Sequence, residues 1–234
     1  MKKKFIIFLL FTILPCVLLN AAENKDNETP DASIGVNGNF GTFDINKNNV
    51  HIETEPGLYT GGGLTIEKMI YPVFGFGSGI QYRYFKTDFV MKDKNKQEVD
   101  ATWTFKTINI PFLMILSFSG GDSSLNLVGG AVYSHIFHSE MKADEDEDVT
   151  KHKDNVLKFT NTNQIGATAG IIFKIRATKF SDFMFGVMGE YYPTSIIYNR
   201  NGSDDKINML NYSLMTGYMF RTNIFPGSEK KNNL

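Results

Sequence analysis

Between Phe159 and Ile175 the chain reads FTNTNQIGATAGIIFKI, and the period of that stretch is two. One set of alternate positions holds Phe159, Asn161, Asn163, Ile165, Ala167, Ala169, Ile171, Phe173 and Ile175. The other holds Thr160, Thr162, Gln164, Gly166, Thr168, Gly170, Ile172 and Lys174. Successive side chains of a strand point to opposite faces. One face is therefore apolar over its second half, and the other is small or polar. An amphipathic helix would repeat apolar residues at i, i+3, i+4 and i+7, and such patterns are hard to find anywhere in this chain.

The alternation recurs outward from that stretch. Phe74, Phe76, Ile80, Tyr82 and Tyr84 share a face with Ser78, opposite Gly75, Gly77, Gly79, Gln81 and Arg83. Near the end, Leu210, Tyr212, Leu214, Thr216, Tyr218 and Phe220 lie opposite Met209, Asn211, Ser213, Met215, Gly217, Met219 and Arg221. Eight strands are predicted, at about 32–43, 57–68, 73–86, 102–117, 124–138, 157–175, 181–196 and 207–222. Each reaches the roughly 9–11 residues that a membrane-crossing strand needs, whereas soluble strands average about 5–6.

The gaps between them alternate in length. Those at about 44–56, 87–101, 139–156 and 197–206 are long and polar; those at 69–72, 119–123 and 176–180 are short. Outer-membrane barrels have short periplasmic turns and longer extracellular loops. An even strand count then puts both chain ends on the periplasmic side. Unpaired amides are not tolerated in hydrocarbon, so such a sheet must close on itself. A soluble up-and-down barrel would turn its apolar face inward. Here the faces opposite the apolar ones carry glycine and long polar residues. The expected fold is all-β, an eight-stranded antiparallel up-and-down transmembrane β-barrel preceded by a signal peptide.

The N-terminus agrees with export. Lys2, Lys3 and Lys4 precede an apolar run from Phe5 to Leu19, and Asn20-Ala21-Ala22 follows before polar Glu23. That order is the grammar of a secretory signal peptide, and the run falls short of the roughly 20 apolar residues of a spanning helix. The expected division is 1–22 signal peptide, 23–31 linker, 32–225 barrel and 226–234 polar tail. The single cysteine, Cys16, lies within the run, so disulfides play no part in the mature chain. A net charge of −1 supplies no bulk field toward nucleic acid. Aromatics near strand ends (Tyr71, Phe74, Phe180, Phe183 and Phe185 at short turns; Trp103, Phe105, Tyr191, Tyr192 and Tyr198 near long loops) are expected at the membrane interfaces.

In the middle of the chain, Thr107 to Leu116 reads TINIPFLMIL. An Ile-Pro followed by leucines in a middle strand resembles the small outer-membrane β-barrel family, described as the outer membrane protein beta-barrel domain or porin family. The resemblance covers about 30–225. It implies an eight-stranded outer-membrane barrel and transfers no catalytic residues. The terminal aromatic read by the barrel assembly machinery would have to be Phe220 or Phe225. Pro111 lacks a ladder donor, and the apolar parity slips between Phe105 and Ile108, so a bulge is expected there.

Three groups of residues are candidates for function. Glu67, Gln81, Arg83, Asn109, Gln164, Lys174 and Glu190 fall on inward faces. Buried charges must pair, so a lumen network is expected in which Glu67 and Glu190 balance Arg83 and Lys174. The acidic run Asp144, Glu145, Asp146, Glu147 and Asp148, with His138 and His152 beyond its ends, is read as a solvated loop, with divalent-cation binding as the sharper alternative. Ser134, His135, His138 and Ser139 are neighbours. Alternation separates Ser134 from His135 but lets Ser139 and His135 meet, which is the arrangement a lipid hydrolase would need. There is no zinc-like cluster, Walker-type loop or His-Glu-x-x-His, and no cofactor, metal or catalytic residue is expected. The expected role is non-enzymatic, structural or surface-interacting through long loops. A narrow porin is the alternative, and a lipid-modifying enzyme the next. Expected partners are outer-membrane lipid, the assembly machinery and an extracellular or envelope partner of the loops, without nucleic acid.

Overall fold

The computed structural model describes residues 32–47, 53–54, 56–92, 98–143, 153–155, 160–178, 180–193 and 207–222. The alternating segments form β1 (Ala32–Lys47), β2 (Glu53–Thr54), β3 (Gly57–Tyr71), β4 (Phe74–Lys92), β5 (Glu98–Gly120), β6 (Ser123–Ala143), β7 (Lys153–Asn155), β8 (Asn163–Thr178), β9 (Ser181–Tyr192) and β10 (Ile207–Thr222). Among the described residues there is no helix long and apolar enough to cross a membrane.

Eight of these strands make a closed ring in the order β1, β3, β4, β5, β6, β8, β9, β10, all paired antiparallel with their neighbours. Closure is made by β1 on β10, from Ala32 opposite Thr222 to Lys47 opposite Ile207. Both described ends of the chain therefore lie on one rim. The two-residue links Pro72–Val73 and Gly121–Asp122 lie on that same rim, as does the short link between β8 and β9. No edge is left unpaired in the ring, which is what hydrocarbon requires.

The strands outrun their sequence-based bounds at the other rim. β4 continues to Lys92, β5 begins at Glu98 and β6 continues to Ala143. Much of what reads as loop at 87–101 and 139–156 is thus ladder, because these three strands go on pairing beyond the barrel wall. The short β2 and β7 flank them, on β4 and β6 respectively. β8 starts at Asn163 rather than near 157, and β9 ends at Tyr192. The signal segment, linker, polar tail, Tyr198, Phe225 and the acidic run lie outside the described residues.

The bulge expected near Phe105 takes a different form. β5 keeps strict alternation through this region: Phe105 is buried inside while Ile108 faces out. The register shift lies in the β5–β6 pairing, where Lys106 opposes His138 and Thr107 opposes Ile136, so the extra residue is Phe137 on β6. The apolar residues change face along β5 because the barrel interior is itself apolar near that rim. Pro111 interrupts the β4 ladder, leaving Gly79 and Ile80 without register partners on β5. The Ser78 hydroxyl donates to the Pro111 carbonyl at 2.9 Å.

At the β5–β6 turn Gly121 adopts φ 61°, a conformation that costs a side-chain-bearing residue about 1–2 kcal/mol. Gly121→Ala is expected to lower unfolding stability in urea by about that amount, since a Cβ there meets no neighbour that would add a clash. No loss would mean that the turn relaxes freely.

Candidate functional site: the filled lumen and the apolar wall

An eight-stranded barrel has an interior just wide enough for side chains, so what fills it decides what the barrel can pass. At the short-turn rim Arg221 grips Asp182, its Nε donating to Oδ2 at 2.9 Å. Next comes the ion pair of Lys174 and Glu67. Around and above it Ile115, Val128, Ile172, Met184, Met215 and Met219 pack with Met69 and Met188. Methionine suits such an irregular space because it is unbranched and adaptable.

The central layer is polar. Arg83 forks onto Glu190, with Nη2 donating to Oε1 at 2.7 Å and Nη1 to Oε2. Nη2 also donates to Gln81 Oε1 at 2.7 Å. The Tyr192 hydroxyl and the Asn211 amide donate to Glu190 Oε2 at 3.1 and 3.4 Å. Asn109 donates to the Tyr192 hydroxyl at 3.1 Å and accepts from Thr107 and Ser134 at 2.5 and 3.3 Å. The Arg83 guanidinium sits 5.5 Å from the Tyr59 ring centre, within cation–π range. A bidentate, charge-assisted pair with further donors on the carboxylate is the arrangement that offsets burial of two charges. A cavity of about 30 Å³ beside Arg83, Glu190, Asn39 and Thr168 has room for about one water.

Above that layer the lumen closes with aromatics. Phe85 and Phe105 stack with centroids 4.5 Å apart; Phe43 meets Phe85 edge-on at 5.2 Å. Tyr59 stacks on Phe85 at 4.9 Å and Trp103 lies 5.0 Å from Phe105. Val132, Ile136, Tyr192 and Met209 complete the cluster.

Glu67, Gln81, Arg83, Asn109, Gln164 and Glu190 are buried within the barrel, and Lys174 reaches in to pair with Glu67. The four charges form two separate pairs at different heights rather than one network, Arg83 with Glu190 and Lys174 with Glu67. Trp103, Phe105 and Tyr192, expected at the membrane interface, are instead buried in the aromatic plug. Their parity continues the inward faces of their strands, and parity rather than residue type is the signal that would have found them. Asp182 and Arg221 form a further pair, at the short-turn rim, that alternation does not single out. Tyr71, Phe180, Phe183, Phe185 and Tyr191 do face outward.

Ser139 and His135 do not meet. The extra residue Phe137 reverses the parity between them. Ser139 is buried, accepting from Trp103 Nε1 at 2.9 Å and from the Thr160 hydroxyl at 3.2 Å. His135 faces out, its Nδ1 3.0 Å from Asn163 Oδ1. His138 Nε2 lies 3.6 Å from Glu140. Among the described residues no group of three or more His, Cys, Asp or Glu side chains could hold a metal ion.

The outer wall is the inverse of the lumen. Val36, Phe40, Leu64, Ile66, Phe76, Ile80, Phe112, Met114, Ile165, Ile171, Phe173, Val187, Leu214 and Phe220 are all exposed on it. Soluble monomers rarely present so continuous an apolar band. A closed antiparallel barrel with ion pairs and a polar layer inside and such a band outside is an outer-membrane β-barrel.

No family model matches the chain, and no curated protein sequence matches it. Several solved structures are similar to it at low identity. The outer membrane protein OprG from Pseudomonas aeruginosa is 13% identical, with 82% of this chain and 96% of that one covered and a TM-score of 0.49. Neisserial surface protein A is 10% identical over 82% of this chain and 97% of its own, at a TM-score of 0.44. Ail, the attachment invasion locus protein of Yersinia pestis, is 10% identical over 81% and 99%, at 0.41.

Proposed function

We propose that this outer-membrane barrel is a non-enzymatic surface protein. Its sealed wall serves as a rigid mount for the sheet that rises from β4, β5 and β6, and it acts through that sheet and the long-rim connections on an extracellular or envelope partner. The observation that supports this most is the filled lumen. Buried ion pairs, a methionine-rich layer and an aromatic plug occupy the bore of the described wall. The second support is strand length. A spanning strand needs about 9–11 residues, and β5 has 23, so a large share of β4–β6 projects into solvent. Interaction surfaces mounted on rigid scaffolds are a common place for binding function.

Planar-bilayer recording of the refolded protein tests the reading. No steady conductance is expected from the wild type. A stable open state would replace this reading with a narrow channel. Release of fatty acid from phospholipid or lipid A by the purified protein would replace it with a lipid-modifying enzyme.

A further inference from the structure

We infer that the outer wall of β4–β6 carries a docking site for an anionic, phosphate-bearing lipid of the outer leaflet, formed by Lys86, Lys106 and His138. The register brings these side chains together. Lys106 on β5 directly opposes His138 on β6 and Tyr84 on β4. Lys86 opposes Thr104, which places it diagonally next to Lys106, about 7–8 Å away in an antiparallel pair. All three point outward. Lys106 stands one outward position beyond Ile108 and Lys86 two beyond Tyr82, past the last exposed apolar residues of β4–β6 with described side chains, Tyr82, Ile108 and Phe137. That is the height at which a lipid headgroup meets the protein.

The charge is one-sided. Among the outward lysines and arginines whose side chains are described, those of the long-loop half are Lys86, Lys106 and Lys142, all on β4–β6. At comparable height the other strands present Asp44, Leu58, Asn163, Tyr191 and Leu210. Two acids stand nearby and are engaged: Glu140 faces His138 and Lys142 at 3.6 and 3.4 Å, and Asp88 accepts from Thr102 at 2.6 Å. Lys86 and Lys106 have no acidic partner among the described residues. Lysines at a bilayer surface attract anionic headgroups, and a phosphate oxygen between the Lys86 and Lys106 ammonium groups meets donors there, with the His138 imidazole, already facing Glu140, at the border of the site. Further down β6 and β8 the outward residues Ala131, Gly129, Ala167 and Ala169 are small, leaving a shallow stretch of wall on which an acyl chain can lie close.

The site rests on the membrane placement of the barrel and is independent of whether the lumen conducts. The test uses the full chain refolded into phosphatidylcholine vesicles doped with lipid A, then extracted in mild detergent. Co-purifying lipid A is measured by mass spectrometry. The wild type is expected to retain lipid A over phosphatidylcholine. Lys86→Gln/Lys106→Gln is expected to lose on the order of tenfold or more of that retention, with unchanged Trp103 fluorescence reporting an intact barrel. Arg176→Gln, at the opposite rim, is expected to retain lipid A like the wild type. Equal retention by the double variant, or no preference for lipid A in the wild type, would overturn the proposal.

Discussion

Glu190→Ala is expected to destabilise the barrel by about 3–5 kcal/mol, which is the cost of removing one member of a buried ion pair and leaving the other charge uncompensated. The case rests on how completely Arg83 depends on that carboxylate. Both its terminal nitrogens point at Glu190, and its only other hydrogen-bond acceptor among the described residues is Gln81. Without Glu190, the Tyr192 hydroxyl and Asn211 amide lose an acceptor as well. The pair joins strands that lie far apart around the ring, so its loss removes a cross-lumen tie and not merely a local contact. The double variant Arg83→Met/Glu190→Leu is expected to recover most of the loss, because apolar replacement of a whole buried pair is often neutral. Urea unfolding in lipid vesicles, followed by Trp103 fluorescence, measures both. If Glu190→Ala unfolds at the wild-type midpoint, the central layer is solvated and the barrel is not sealed there.

That layer also shows how far the sequence could be read. Alternation alone places Glu67, Arg83, Lys174 and Glu190 inside, because strand parity is a local property. It does not say that Arg83 meets Glu190, which is 107 positions away; that contact depends on the register accumulated across intervening strands. The upper lumen departs from its sequence for a different reason. Trp103 and Phe105 are the residue types of a membrane interface, so their chemical type points outward while their parity points inward. Continuing the odd positions Thr107 and Asn109 upward along β5 leads straight to Phe105, Trp103 and Ala101 inside the barrel.

Ser139 shows the opposite limit. There parity misleads, because one unpaired residue at Phe137 inverts everything beyond it. A bulge of one residue leaves no mark in an alternation pattern when the flanking residues are of mixed polarity, as His135, Phe137 and His138 are. The acidic run from Asp144 to Asp148 falls outside the described residues, so its expected role as a solvated loop stands as a reading of charge alone.

Leu214→Arg is expected to cost about 2–4 kcal/mol in a bilayer, the penalty for arginine on the lipid face at mid-depth. Leu214 is 64% exposed, so in water this substitution would be close to neutral or favourable. The sign of the effect therefore identifies the solvent that touches the wall. Leu214 sits midway along β10, opposite Phe40 on β1 and Val187 on β9, with apolar neighbours on both sides and no acid within that row to receive the charge. Phe220→Arg, near the short-turn rim of the same strand and face, provides the depth control. Its cost is expected to fall to about 0–1 kcal/mol, because an arginine there reaches the headgroups. Reversible unfolding of both variants in phosphatidylcholine vesicles gives the comparison. Equal penalties at the two depths would mean that burial against protein, and not hydrocarbon, sets the cost. A Leu214→Arg chain as stable as the wild type would remove the membrane from the account of this fold.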